Sequence, residues 1–398
     1  MEAIRRFFAR QKKENRFFDF TLLFVVVFLI AFGLIMIYSA SSYNAGLDYG
    51  DPAYYMKRQA IAAALGFVAM IFISFIPTKF YAKFTPVYYI VAVVLLLLLL
   101  TPLSHDANGA TRWIRLVGGF NLQPAEVAKL CMILFMADII CKMGKNLGNW
   151  RQFLIALFAF PLPVVLMILG ISKNLSSAII VFGIVYLMIF VACPDFKKVL
   201  TVTAIGAGAV ALVIVILYFF GEGILENFSE MPGVYRIRRI VAWFDLEKYA
   251  SDEGFQTLQS LYAIGSGGAF GKGLGKSMQK LKYIPEAQND MIFSILCEEL
   301  GLFGAFCVII LFVILIWRCM SIAHQTKDLY SALVVVGVMG HIAIQAFLNI
   351  AVVTNTIPNT GISLPFISYG GSSIAFLMVE IGLVLGVGRS IKLGDGRS

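Results

Sequence analysis

The sequence predicts an all-α polytopic membrane protein with ten transmembrane helices and one large outer loop between the seventh and eighth. Of its 398 residues, 60% are hydrophobic and only 14% are charged, which is far more apolar than a soluble globular chain. The apolar residues also fall into ten stretches close to the roughly 20 residues that a membrane span needs. These stretches are 19–40, 60–77, 86–103, 123–141, 153–170, 175–193, 199–219, 288–317, 329–353 and 369–388.

The basic residues predict how these spans are oriented, because lysines and arginines in short loops resist translocation. Six lie in the tail 1–18, nine in the even-numbered loops and three in the tail 389–398, against five in the short odd-numbered loops. We therefore expect both tails in the cytoplasm, a membrane domain over 19–388, and the 220–287 loop outside. The first stretch lacks a small-residue cleavage pattern after it and is interpreted as a retained span. The net charge of +9 is then an orientation signal that also contacts anionic lipid, and it does not indicate nucleic-acid binding.

Cysteine and histidine patterns predict neither disulfides nor a metal site built on those residues. The six cysteines lie in or at the ends of predicted spans, and no C-x-x-C is present. The three histidines fall in three different segments, so each is interpreted as structural.

The large loop has two parts with different predicted roles. Residues 232–262 mix charges with helix-spaced apolar residues and predict amphipathic helices on the outer surface. Residues 263–277 form a glycine-rich connector that can approach a ligand or simply turn. Its "GLGKS" resembles the end of a phosphate-binding loop, but Phe270 stands where the first glycine of that motif is required. We expect the lysines of this region to face lipid phosphates or a phosphorylated ligand: Lys272, Lys276, Lys280 and Lys282.

Two cationic positions lie near the predicted outer boundary. Arg112 stands beside Trp113, which suits either an interfacial belt or a cation held near an anionic headgroup. Lys129 lies about 8–9 Å along the fourth span at 1.5 Å per residue, three residues after Glu126. The two either neutralise each other within the helix, or Lys129 faces a cavity and meets a diphosphate; we favour the cavity.

The last outer loop, "NTGISLPFISYGGSS", interrupts an apolar region with a proline and a glycine pair. Irregular backbone at membrane depth must be buried in protein or line a cavity. Hydroxyl groups in this loop, including those of Ser368 and Ser372, would line such a cavity, although glycines here also suit close helix packing.

The stretch "YIPEAQNDMIFSILCEELG" carries four acids around one predicted helix start. Asp290 stands where an N-cap belongs, and Glu286 would share a helical face with it. Glu298 and Glu299 lie two to three turns inside and need a cavity, a cation or a proton. Together with the cations and hydroxyls, these acids suit a polyprenyl-diphosphate sugar, for which the chemistry would be glycosyl transfer by a carboxylate base. A transporter of the same ligand would need the same charges.

Several longer segments resemble the SEDS family (shape, elongation, division and sporulation), and they do so in order over nearly the whole chain. They are "FFDFTLLFVVVFLIAFGLIMIYSAS", "NGATRWI", "QPAEVAKL", "YRIRRIVAWFD", "GFQTLQSLYAIGSGGAFGKGLGKSMQKLKYIPEAQNDMIFSILCEELGLFGA" and "GISLPFISYGGSS". The S-x-Q-K before "YIPEA" resembles the division and sporulation branch more than the elongation branch.

The resemblance implies an inverting peptidoglycan glycosyltransferase that polymerises lipid II, an undecaprenyl-diphosphate substrate, at the outer face of the plasma membrane. It implies a class B penicillin-binding protein and divisome proteins as partners, and the division septum as the location. A lipid II flippase and a non-catalytic scaffold are the alternatives from other classes. Glu298, Glu299 and His341 are the residues that hint at an inner pathway, as a flippase would need.

The resemblance also implies roles for individual residues. The family's indispensable acid falls on Asp290, as general base or catalytic carboxylate, with or without a divalent cation such as Mg²⁺ or Mn²⁺. Arg112, Glu286 and Lys129 match motif positions and, with Ser368 and Ser372, are expected to bind substrate. Many members have histidine where this chain has Gln288, so a titrating histidine at that position has no role here.

Overall fold

The computed structural model describes residues 18–107, 110–115, 121–227 and 234–391. The predicted basic amino-terminal tail, all but the start of the carboxy-terminal tail, and residues 228–233 of the large loop lie outside the described residues. The chain is mostly helical. Its elements, in order, are α1 (Phe20–Tyr49), α2 (Tyr54–Ser74), α3 (Thr78–Ala82), α4 (Thr85–Leu97), β1 (Ser104–Ala107), β2 (Ala110–Arg115), β3 (Asn121–Leu122), α5 (Pro124–Met143), α6 (Trp150–Leu154), α7 (Pro161–Gly170), α8 (Leu175–Ala192), α9 (Phe196–Asn227), α10 (Val234–Phe244), α11 (Phe255–Gly267), α12 (Ile292–Gln325), α13 (Leu329–Val353) and α14 (Gly371–Ser390).

The all-α polytopic class is confirmed. Within the described residues, eight helices are long and apolar enough to cross a membrane. A π-helical turn, Ile155–Ala159, joins α6 to α7, and these count as one span. The other two predicted spans correspond to α4, which a 3-10 turn extends to Leu100, and to α5, which carries charged side chains. The count of ten spans therefore stays a prediction.

A small antiparallel sheet was absent from the sequence expectations. Strands β1, β2 and β3 pair in that order within the loop that joins α4 to α5. A loop outside the helices must satisfy its backbone groups in another way, and strand pairing does so. The sheet fixes the position of Arg112 on β2.

The large loop contains two helices, α10 and α11, in the region where amphipathic helices were predicted. Helix α11 ends at Gly267, five residues into the stretch 263–277 that was predicted to be a connector. Val234 and Val241 of α10 are buried, while Arg239 is exposed. The indole of Trp243 donates a hydrogen bond of 2.9 Å to the carbonyl of Asn355 and ties α10 to the end of α13. The preceding helix, α9, runs to Asn227, eight residues beyond the predicted end at 219, because apolar residues continue past that point.

Helix α12 is broken at Gly301, which has φ 70° and ψ −170°. The broken turn leaves helix amides and carbonyls without their usual partners, and the glycine-rich connector supplies them. The amides of Leu302 and Phe303 donate to the carbonyls of Gly268 and Ala269, at 3.0 and 3.1 Å. The connector also donates: the amides of Lys272 and Gly273 form hydrogen bonds of 2.9 Å to the carbonyls of Glu298 and Glu299, respectively.

The glycines of the connector make this insertion possible. A Cβ atom on Gly267 would lie 2.0 Å from the carbonyl oxygen of Cys297, and one on Gly271 would lie 2.2 Å from that of Glu299. No larger residue fits at either position. The prediction that the connector approaches a ligand or merely turns was incomplete, because it approaches the backbone of α12.

The connecting segments meet at one end of the bundle, called here the loop-rich end. They are 50–53, 101–107, 110–115, 121–123, 171–174, 234–291 and 354–370. The side chain of Gln59 holds the last of them: its Nε2 donates to the carbonyl of Ser368 at 3.2 Å, and its Oε1 accepts from the Gly370 amide at 3.1 Å. The Tyr369 amide donates to the carbonyl of Gln288 at 2.9 Å. The last loop therefore packs directly against the segment that carries Asp290.

Candidate active site at the loop-rich end

Asp290 lies immediately before α12 but does not cap it. Met291 occupies the capping position, and no side chain makes a capping hydrogen bond there. The structural interpretation of Asp290 as an N-cap is therefore wrong. Its half-buried carboxylate accepts a 3.4 Å hydrogen bond from Gln256 Nε2 on α11. Its backbone carbonyl accepts one of 2.7 Å from Asn349 Nδ2 on α13.

The surroundings of Asp290 make it a stronger base than an ordinary aspartate. Burial, chiefly, and the charge of Glu286 raise the pKa of its carboxyl, which lies at about 6. A hydrogen bond from its own backbone, the charge of Arg239 and the hydrogen bond from Gln256 each oppose this by lowering the pKa. A carboxylate with a pKa just below neutral pH is ionised in most molecules yet basic enough to accept a proton in a transition state.

Three arginines, Arg112, Arg236 and Arg239, lie close enough to influence one another, and Arg239 also acts on the Asp290 carboxylate. Burial lowers the pKa of Arg112, and the positive charges of Arg239 and Arg236 lower it further, while Tyr235 raises it. Each guanidinium donates to a backbone carbonyl: Arg112 to Lys173 at 3.4 Å, Arg236 to Leu169 at 3.5 Å and Arg239 to Asn359 at 3.4 Å.

The Nε atom of Arg112 is buried and has no hydrogen-bond partner among the described residues. Mutually repelling guanidinium groups held by long, weak bonds suit an anion such as a diphosphate. The structure thus favours the anion-binding interpretation of Arg112 over an interfacial belt.

Lys129 does not face an open cavity, contrary to the interpretation favoured from sequence. Its side chain is 1% exposed; Nζ lies 2.8 Å from Glu126 Oε1 and 3.2 Å from Gln345 Oε1. The intrahelical pair is the arrangement that forms, because a buried ammonium requires a counter-ion. A direct contact between Lys129 and a diphosphate is not supported.

His341 extends this buried network as a structural residue. Its Nε2 lies 2.8 Å from Gln345 Oε1, and its Nδ1 lies 2.8 Å from Glu380 Oε2. Like Lys129, it has partners within the bundle.

Glu298 and Glu299 also have partners rather than an inner pathway. Lys272 Nζ lies 2.7 Å from Glu298 Oε1, and Lys280 Nζ lies 2.8 Å from Glu299 Oε1. The expectation that all four loop lysines face phosphates is therefore wrong for Lys272 and Lys280. Lys276 and Lys282 are exposed.

The remaining predicted site residues have different surroundings. Glu286 adopts a positive φ of 47° in a tight turn, where its Oε2 accepts a 2.7 Å hydrogen bond from Asn289 Nδ2. Ser368 stabilises its own loop, since its Oγ accepts a 2.7 Å bond from the Leu364 amide. The Oγ of Ser372 is buried and lacks a hydrogen-bond partner among the described residues.

Sequence reasoning missed five side chains at the site. Gln256, Asn349 and Asn359 hold the backbone and carboxylate of the Asp290 segment, and Arg236 and Arg239 supply its positive charge. The arginines were visible as a basic cluster on an amphipathic helix. Nothing local marked the amides, which lie 34 and more residues from Asp290 in sequence.

A preformed metal site is not found at Asp290. Among the described residues, no group of three or more His, Cys, Asp and Glu side chains is placed to hold a metal ion. A divalent cation at Asp290 would need further oxygen ligands from substrate or water. The protein groups that can neutralise a departing anion here are the arginines.

Comparison with known proteins gives a consistent result. Residues 20–393 match the model of a family of cell cycle proteins that comprises FtsW, RodA and SpoVE. The chain is 37% identical to stage V sporulation protein E of Bacillus subtilis over 373 residues, which cover 93% of this chain and 97% of that protein. It is 36% identical to the probable peptidoglycan glycosyltransferase FtsW of Trichlorobacter lovleyi over 381 residues, 94% of each chain.

A solved structure is also similar, with a TM-score of 0.74 and 27% identity over 94% of this chain and 98% of that one. That structure describes how a peptidoglycan synthase complex coordinates polymerization and crosslinking.

Proposed function

The chain belongs to the FtsW, RodA and SpoVE family of cell cycle proteins, and we propose that it is a glycosyltransferase that polymerises lipid II into peptidoglycan strands during cell division. Relatives at 33–36% identity are named probable peptidoglycan glycosyltransferases. The observation that carries the proposal is the half-buried Asp290 carboxylate, which has no capping role and lies near Arg239, a member of a cluster with Arg112 and Arg236.

The chemistry is a single displacement at an anomeric carbon. The Asp290 carboxylate accepts the proton of the attacking sugar hydroxyl as its oxygen forms a bond to that carbon. The bond between the carbon and the diphosphate oxygen breaks, and the electron pair leaves with the diphosphate. Arg112, Arg236 and Arg239 stabilise the developing negative charge. One displacement inverts the configuration at the anomeric carbon.

The proposal places the loop-rich end at the outer face of the plasma membrane, with both termini in the cytoplasm. The excess of basic residues in the even-numbered loops supports this orientation. Lipid II would present its diphosphate and sugars to the arginines and Asp290, while its lipid tail stays in the bilayer.

A class B penicillin-binding protein is the proposed partner, and divisome proteins at the septum complete the setting. The similar solved chain comes from a complex in which polymerization is coordinated with crosslinking. A polymerase and a crosslinking enzyme act on the same strand, so their association brings successive steps together.

The test is a reconstitution that separates polymerase, flippase and scaffold. Purified protein and its cognate class B penicillin-binding protein, with the crosslinking site blocked by a β-lactam, are incubated in liposomes with labelled lipid II. Glycan polymer supports the proposal. Lipid II that crosses the bilayer without polymer would favour a flippase, and neither product from an intact complex would favour a scaffold.

A further inference from the structure

Side-chain hydrogen bonds and ion pairs hold the glycine-rich connector and the following turn on α12 at its break, in addition to the backbone hydrogen bonds. Glu298 accepts hydrogen bonds from Lys272 Nζ at 2.7 Å and from the Met278 amide at 3.1 Å, and it is also bonded by the Ser277 hydroxyl. The turn 277–280 is therefore held on a carboxylate of α12.

The neighbouring carboxylate, Glu299, forms an ion pair with the same turn and also contacts α1. Glu299 Oε1 lies 2.8 Å from Lys280 Nζ, and its oxygens accept from the Ser39 hydroxyl of α1 at 2.7 Å. Lys280 Nζ also lies 3.2 Å from Ser39 Oγ. The side chains of Glu298 and Glu299 are fully buried, and Lys280 is 7% exposed.

The contact between Lys280 and Glu299 joins the two ends of the segment that carries Asp290. Lys280 lies ten residues before Asp290 and Glu299 nine residues after it, so their ion pair closes a loop around the carboxylate. Ile284, Ala287 and Met291 anchor the interior of that loop as fully buried side chains. The position of Asp290 is thus fixed by a contact that lies away from Asp290 itself.

We propose that Lys280 and Glu299 are positioning residues for Asp290, which hold its carboxylate at the reacting distance from the arginines through their ion pair on the broken helix. This inference rests on the proposed glycosyl transfer. It assigns a role in rate to a charge cluster that touches neither Asp290 nor, by its burial, a substrate.

Stability alone accounts poorly for a cluster of this kind. Replacing a buried ion pair by apolar residues of similar volume is often neutral or stabilising, whereas removing one partner costs about 3–5 kcal/mol. Directional hydrogen bonds to the turn 277–280 and to the Ser39 hydroxyl instead fix the position of the loop between Lys280 and Glu299. A misplacement of about 1 Å at a catalytic group can reduce a rate about 10²-fold.

The test compares the double variant Lys280→Met/Glu299→Met with the wild type and with a matched pair on the surface. The control, Lys57→Met/Asp51→Asn, removes an exposed ion pair of similar length, 2.7 Å against 2.8 Å, at the start of α2. Thermal stability, kcat and the KM for lipid II are measured for each protein in the complete complex. We expect the double variant to unfold near the wild-type temperature, with kcat reduced about 10²-fold and KM little changed, and we expect the control to behave as wild type.

The pH profile supplies a measurement that a purely structural role would not change. A loosened loop admits water to Asp290. Its carboxyl is then less buried, so its pKa falls and the acid limb of the kcat profile moves to lower pH. The charged groups that face Asp290, Glu286 on its own segment and Arg239 on α10, are unaltered in these variants. If the double variant does not fold, Ser39→Ala removes one partner of Glu299 without burying a charge, and the same shift of the acid limb is expected.

Asp290→Asn is measured alongside, so the two proposals can fail separately. An active Asp290→Asn protein would overturn the assignment of the base. An inactive Asp290→Asn protein beside a fully active double variant with an unchanged acid limb would overturn only the positioning role.

Discussion

Asn349 joins α13 to the segment that carries Asp290. Its Nδ2 donates hydrogen bonds to the backbone carbonyls of Asp290, at 2.7 Å, and of Ile362, at 2.6 Å. One fully buried amide therefore spans the Asp290 segment and the last loop. The substitution Asn349→Ala leaves both carbonyls without this donor, and a buried group left unsatisfied costs about 1–3 kcal/mol.

We expect Asn349→Ala to lower the unfolding temperature and to reduce kcat at least about tenfold through misplacement of Asp290. Asn289→Ala is the control, because its amide bonds the exposed side chain of Glu286. Thermal unfolding and polymerisation rates are measured for both variants. A wild-type kcat in Asn349→Ala would show that this amide does not position Asp290.

The activity should rise with pH through the pKa of Asp290, about 6, because only the ionised carboxylate accepts a proton. Arg239 lowers this pKa and Glu286 raises it. Arg239→Met should therefore move the acid limb of the kcat/KM profile to higher pH, and Glu286→Gln should move it to lower pH. Shifts of both variants in the same direction would show that another group titrates.

The buried pair Glu126 and Lys129 should matter mainly to stability. Lys129→Met leaves a carboxylate buried without its cation and should destabilise the protein by about 3–5 kcal/mol. The double variant Lys129→Met/Glu126→Gln should recover much of that loss. Thermal unfolding of the single and double variants tests the pair, and equal stability of Lys129→Met and wild type would contradict it.

The break in α12 requires glycine. At Gly301, φ is 70° and an added Cβ would lie 2.4 Å from the Gly271 amide nitrogen. Gly301→Ala should therefore strongly lower the unfolding temperature. Gly265→Ala on α11, where a Cβ meets nothing within 4 Å, should be neutral or slightly stabilising. Similar behaviour of the two variants would refute the inserted-loop geometry.

Local signals in the sequence were enough for the helices. Runs of apolar residues predicted the spans, and mixed charge predicted α10 and α11, because these features act through the nearest turns and the solvent. The cluster of four acids around one predicted helix start marked the segment, and the resemblance to the SEDS family singled out Asp290 within it.

Partners distant in sequence could not be predicted. We predicted that Lys272 and Lys280 face phosphates because their actual partners, Glu298 and Glu299, lie 26 and 19 residues away in sequence. For Lys129 the sequence offered the correct partner, Glu126, as one of two alternatives, but it gave no sign of Gln345, 216 residues away, which completes the buried site. A charge in an apolar segment needs a partner, but which partner it finds depends on the tertiary packing.

Polymerisation of labelled lipid II by the full complex, with wild type compared with Asp290→Asn, shows whether Asp290 is the base. Asparagine preserves the size of the side chain and its ability to bond Gln256, but it cannot accept a proton as a base. We expect polymer from the wild type and none above background from Asp290→Asn, with the complex equally folded. Polymer from the variant at the wild-type rate would contradict the claim that Asp290 is the base.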